Sequence, residues 1–115
     1  MHELGIVFSV MDKVEKVAKE NNIKEVSKVT LEIGEVSTIV PSYFLDLWKW
    51  AIKKSEIMKN CEANIIIIEG ISYCTECKNT FKTTEFAKVC PYCKSDKTYL
   101  VTGSEVNIKD IEVID

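Results

Sequence analysis

Hydrophobic side chains recur at helical spacing near the start of the chain, at Leu4, Val7, Met11, Val14 and Ala18, with Val10 and Val17 widening the stripe. This periodicity predicts an amphipathic helix over residues 4–20, stopped by Glu20-Asn21-Asn22. Residues 26–36 change to strict alternation, with Val29, Leu31 and Ile33 set against Lys28, Thr30 and Glu32. That pattern reads as a strand with one buried face, ending or bulging at Gly34. Pro41 suits the first turn of a second helix, expected over residues 41–58 with Phe44, Leu47, Trp48, Ala51 and Ile52 facing inward. Tyr43, Asp46, Trp50, Lys53 and Ile57 share the opposite face, where Trp50 and Tyr43 are candidate anchors for a partner.

The run Ile65-Ile66-Ile67-Ile68 predicts a strand over 63–71 covered on both faces, at the centre of a sheet. Residues 103–114 alternate again through Val106, Ile108, Ile111 and Val113, with a phase slip at Lys109-Asp110 that reads as a bulge. Helix, strand, helix, strand and a final strand, interrupted by residues 72–98, describe an α+β fold. One domain is expected from 1–71 plus 99–115, and a second from the insert 72–98.

The insert carries the strongest chemical pattern. Cys74-Thr-Glu-Cys77 and Cys90-Pro-Tyr-Cys93 are two C-x-x-C pairs separated by twelve residues. Two thiolates in one tight turn can share an ion, and two such turns complete a tetrahedron of sulfur around zinc. Four thiolates leave no place for water or substrate, so the expected site is structural. Tyr73, Phe81, Phe86, Val89 and Tyr92 are too few to hold the insert by burial, so metal ligation must supply much of its folding energy. Iron has similar ligand chemistry, with zinc the favoured occupant. Cys-Pro-Tyr-Cys also resembles the active site of glutaredoxins, but a second pair stands upstream and Lys94-Ser-Asp-Lys97 follows where a redox helix would begin. Cys61 lies apart from the pairs and reads as a small buried hydrophobe.

Charge argues against nucleic acid as a ligand. The insert holds five lysines (Lys78, Lys82, Lys88, Lys94, Lys97) and three acids (Glu76, Glu85, Asp96), a formal +2 that a zinc ion with four thiolates brings to about zero. The whole chain carries a net −3 spread among Lys/Glu alternations, which makes no case for a membrane partner either. No apolar run is long enough to span a bilayer, and Asp12, Lys13, Glu15 and Lys16 break residues 1–20 where a secretory signal would be apolar, so the expected location is the cytoplasm.

The single histidine is His2. The α-amine of Met1, the His2 amide nitrogen and the His2 imidazole can form adjacent chelate rings around one ion, with the Glu3 amide or carboxylate in reach. Such nitrogen-rich planar ligation favours Ni²⁺ or Cu²⁺ over tetrahedral Zn²⁺. The competing reading is a solvated histidine in a frayed chain end.

Met1-His2-Glu3-Leu4 leading into a helix, Ile33 to Pro41 ("IGEVSTIVP"), the two cysteine pairs and Gly103-Ser104-Glu105-Val106 together resemble the HypA/HybF family of hydrogenase-maturation nickel proteins, in order and over nearly the whole chain. The resemblance implies two helices on a three-stranded antiparallel sheet, forming a nickel domain, with a zinc-ribbon-like domain inserted before the last strand. It implies a nickel metallochaperone, not an enzyme, that delivers Ni(II) to the large-subunit precursor of [NiFe] hydrogenase. A nickel-handling GTPase is the implied partner, and a homodimer is compatible with it. His2, Met1 and Glu3 would bind nickel, and Cys74, Cys77, Cys90 and Cys93 would hold structural zinc. Lys78 and Lys94 depart from the family pattern, standing where glycine commonly follows a zinc knuckle, so positive φ is expected on two lysines. Gly5 stands where the family often has another small or polar residue. The alternative is a zinc-ribbon module that binds nucleic acid or protein and has no nickel role.

Overall fold

The computed structural model describes residues 2–114, with nothing stated for the His2 side chain. Helix α1 spans His2–Glu20 and strand β1 Glu25–Gly34; helix α2 follows at Pro41–Ala51, then β2 at Glu62–Ile68, β3 at Ile71–Cys74 and β4 at Thr80–Lys82. A single turn, α3, at Thr83–Phe86 precedes β5 at Thr98–Thr102 and β6 at Val106–Ile114. The fold is α+β, with two three-stranded sheets ordered β2-β1-β6 and β4-β3-β5. The chain divides into two compact units, one of Met1–Leu31, Ile39–Ile66 and Asn107–Asp115, the other of Glu32–Thr38 and Ile67–Val106.

In the first unit the expected stripe of α1 is buried at Val7, Val10, Met11, Val14 and Ala18, while Val17 stays exposed. The helix stops at the asparagines for a definite reason. Asn22 enters the left-handed region at φ 56°, its N–H donates to Lys19 O at 3.4 Å, and Ile23 N–H donates to Ala18 O at 2.8 Å, the paired bonds of a Schellman cap with asparagine in the usual glycine place. Helices α1 and α2 pack on each other. Phe44, Trp48, Ala51 and Ile52 are buried as the spacing predicts, with Leu47 only partly covered. The Trp48 indole N–H reaches Cys61 O at 3.0 Å, so the largest core side chain has its polar atom satisfied.

Two expectations for this unit need correction. The second helix ends at Ala51 and passes through one 3-10 turn, Ile52–Lys54, instead of running to residue 58. The buried Ser55 competes for the backbone there: its hydroxyl donates to Glu15 Oε2 at 2.7 Å and accepts Met58 N–H at 3.1 Å. The isoleucine run forms β2, which is an edge strand and leaves Ile67 half exposed, while the centre is β1. Strand β1 earns that place with Val29 and Leu31 fully buried on one face, Thr30 covered on the opposite one, and Val26 buried near its start. The phase slip in β6 is present as two successive exposed residues, Lys109 and Asp110.

In the second unit the antiparallel pairs are Ser72 with Phe81 and with Leu100, and Ile71 with Thr102, leaving Val101 as a bulged residue on β5. Residues 63–71 do not make one strand, because the chain breaks at Glu69-Gly70 before β3. Backbones crowd at that break. A Cβ on Gly34 would lie 2.0 Å from Gly103 O, and Gly103 itself has φ 110°, so neither position accepts a side chain.

Candidate metal centre

Two successive turns of the second unit aim four sulfurs at one point. In the first, Cys74 N–H donates to Asn79 O and Lys78 N–H to Cys74 O, both at 2.9 Å; in the second, Cys90 N–H donates to Ser95 O and Lys94 N–H to Cys90 O, again at 2.9 Å. The repeated bonding requires a left-handed residue just after each pair, and Lys78 and Lys94 supply it at φ 62° and 65°. Those are the two lysines singled out by the sequence.

The Sγ atoms of Cys74, Cys77, Cys90 and Cys93 all lie within 4.8 Å of one another. Cys74 and Cys93 stand 3.6 Å apart and Cys77 and Cys90 3.5 Å, far beyond a disulfide bond and close to the edge of about 3.8 Å that a zinc–sulfur tetrahedron demands. All four thiols are free, Cys74 and Cys90 buried, Cys77 partly covered and Cys93 exposed. The donor set therefore fits a thiophilic tetrahedral ion. Phe81 is the one large side chain in the buried cluster with Cys74 and Cys90, in keeping with the expected shortage of apolar cover.

The surroundings prepare the sulfurs unequally. The backbone N–H of Asn79 draws the Cys77 thiol down to about 7, the Cys90 and Cys93 sulfurs and the Asn79 carboxamide act the same way, and desolvation opposes them. That carboxamide donates to Cys77 Sγ at 3.4 Å. At Cys93 the Ser95 backbone N–H pulls downward, but desolvation and the three neighbouring sulfurs outweigh it and push the thiol up to about 12. One thiolate forms easily and the last does not, because charges this close require a cation among them. Asn79 went unnoticed in the sequence; its place two residues after a cysteine pair is the only signal that marks it.

Elsewhere, Cys61 is a buried thiol held above its ordinary range at about 11 by desolvation and by the Glu62 charge, as a core residue would be. Met1 and the His2 imidazole lie outside the described residues. Glu3 is described, and its carboxylate accepts Val40 N–H at 3.2 Å. On α2, Tyr43 and Trp50 are exposed, and Trp50 meets Phe8 of α1 edge-on at 6.3 Å with Lys54 Nζ 3.9 Å above its ring. Among the described residues, no helix is long and apolar enough to cross a membrane.

Residues 1–113 match the family described as hydrogenase/urease nickel incorporation, metallochaperone, hypA. The chain belongs to the HypA family. It is 32% identical over 114 residues to the hydrogenase maturation factor HypA of Aquifex aeolicus, covering 98% of this chain and 97% of that one. It is 30% identical over 113 residues to the factor of the same name from Dechloromonas aromatica, covering 98% and 99%. The solution structure of the nickel metallochaperone HypA from Helicobacter pylori superposes with a TM-score of 0.73 at 25% identity, over 97% of each chain. As a HypA-family metallochaperone in hydrogenase maturation the protein carries metal and is not an enzyme, and its four-cysteine centre is a metal-binding site.

Proposed function

We propose that the protein binds Ni(II) at its amino terminus and delivers it to the large-subunit precursor of [NiFe] hydrogenase, while the four cysteines hold structural zinc. The family match over residues 1–113, which includes Met1-His2-Glu3, carries this reading. Nickel, as cargo, would be held by the Met1 amine, the His2 amide and imidazole, and Glu3, a nitrogen-rich set suited to a planar ion. Zinc would be held by Cys74, Cys77, Cys90 and Cys93, whose closed set of four sulfurs suits a structural ion. Five free cysteines fit a reducing compartment, the cytoplasm. The domain of 72–98 would be the zinc module, set into the nickel domain of 1–71 plus 99–115. A nickel-handling GTPase and the precursor are the partners, with a homodimer compatible, and Trp50 with Phe8 and Lys54 offers a half-exposed aromatic anchor for one of them.

Calorimetric titration of Ni²⁺ into metal-loaded protein with a Met1 terminus, beside a form extended by one residue and a His2→Ala variant, tests the cargo site. Tight 1:1 binding in the first alone is expected. Equal binding in all three, or none in the first, overturns it. Trp50→Ala is expected to weaken partner binding with melting nearly unchanged; a large fall in melting temperature with binding intact removes Trp50 from the docking surface.

A further inference from the structure

Helix α2 begins without a side-chain cap from its own sequence. Its N-cap residue, Val40, has no side-chain acceptor, Pro41 has no N–H, and Tyr43 occupies the position from which a Glu or Gln closes a capping box onto the N-cap N–H. Glu3, from the first turn of α1, does what Tyr43 cannot: its Oε2 accepts the Val40 N–H at 3.2 Å. The two residues belong to the same compact unit.

The electrostatics favour this arrangement. Glu3 is the acid in the first turn of α1, and α2 has no acid in its own first turn. One carboxylate thus meets the positive ends of two helix dipoles. Beside it, Glu3 and Leu4 of α1 with Tyr43, Asp46 and Leu47 of α2 line a cleft of about 460 Å³. The bond therefore ties the start of α1, where His2 stands, to the start of α2.

We propose that Glu3 is a positioning residue of the nickel site, whose carboxylate acts by accepting the Val40 N–H and does not ligate the ion. This deepens the cargo reading above, rests on its Met1 and His2 donors, and changes the part given to the Glu3 side chain from ligand to positioning group. The Met1 amine, His2 amide and His2 imidazole are contiguous donors that close chelate rings without a carboxylate. What they need is a fixed chain direction at His2, and the Glu3–Val40 bond supplies it in the way outer partners orient metal ligands. The bond engages Oε2, so the question the test must decide is whether the other oxygen is needed at the ion.

Glutamine separates the two roles, because its side-chain oxygen can still accept the Val40 N–H but is a poor substitute for a ligating carboxylate. Ni²⁺ titration of the unaltered protein, Glu3→Gln, Glu3→Ala and His2→Ala is paired with the exchange rate of the Val40 amide in each, read without nickel. The expected result is near-normal nickel binding and Val40 protection in Glu3→Gln, with affinity about 10- to 100-fold weaker and protection lost in Glu3→Ala. A Gln variant that protects Val40 yet binds nickel as poorly as the Ala variant makes the carboxylate a ligand and overturns the proposal. Unchanged nickel binding in Glu3→Ala overturns it as well. If the unaltered protein binds no better than His2→Ala, the cargo site itself has failed and the positioning role goes with it; the Val40 exchange rates still tell that failure from loss of the cap.

Discussion

In the first unit, Trp48, Phe44, Leu31, Met58, Val7 and Val14 are almost wholly removed from water, whereas the buried cluster around the sulfurs in the second consists of Phe81, Cys74 and Cys90. The backbone differs in the same sense. Among the described residues, the first unit has one non-glycine at positive φ, Asn22, where asparagine is well tolerated; the second has Thr38, Lys78, Ala87 and Lys94. A region that buries much can fold by burial, but one that buries little and strains its turns needs another source of free energy. Four convergent sulfurs supply it once an ion binds.

The strongest way to break this comparison is to take the metal away. Structural zinc contributes on the order of 10 kcal/mol to folding in small cysteine modules. Chelation should therefore abolish amide protection across the cysteine turns and β3–β5, while emission from Trp48 and Trp50, both in the first unit, stays unchanged. Emission lost in step with the metal would mean that the first unit does not stand on its own burial. The converse experiment removes core volume. Phe44→Ala deletes a fully buried ring stacked on Trp48 at 5.9 Å and should cost about 3–5 kcal/mol, read as an earlier tryptophan transition with the four-cysteine centre still binding Co²⁺.

The same contrast appears in the thiols. Cys61 is held at about 11 against an ordinary 9.0, so its neutral form is favoured in the folded state. The sign follows directly: its contribution to stability is complete below pH 9 and is lost as pH rises toward 11. In metal-loaded protein, Cys61 alkylation should stay slow through neutral pH and accelerate only in that alkaline window. Fast modification at neutral pH would show that the thiol is not a core residue.

How much of this was legible in the sequence depended on whether the signal was local. The body of α1, its asparagine stop, β1 and the cysteine pairs are written in spacing, and even the positive φ at Lys78 and Lys94 follows from where a knuckle needs glycine. The end of α2 was not legible, because Ser55 breaks it by bonding Glu15 across forty positions of sequence. Four isoleucines look alike at a sheet's centre or edge, so β2 was misplaced; only the order β2-β1-β6 decides it. The place of Glu3 beside His2 is a local signal, whereas its bond to Val40 is a tertiary fact that no periodicity encodes.

The smallest expected effect sharpens the comparison most, since it asks whether the strain in the second unit is real. Ala87 has φ 53° and ψ −115°, and Val89 N–H donates to Phe86 O at 3.1 Å. These are the features of a type II′ turn with Ala87 at its first central position, which glycine ordinarily fills. A Cβ there is unfavourable, whereas in the unfolded chain alanine is the less costly residue to order. The folded-state term is the larger, so Ala87→Gly should stabilise the metal-loaded second unit by about 1 kcal/mol. The gain should appear as slower metal transfer to a competing chelator, with the tryptophan transition of the first unit unmoved. Faster transfer would mean that the turn carries no strain and that flexibility, not geometry, limits this segment.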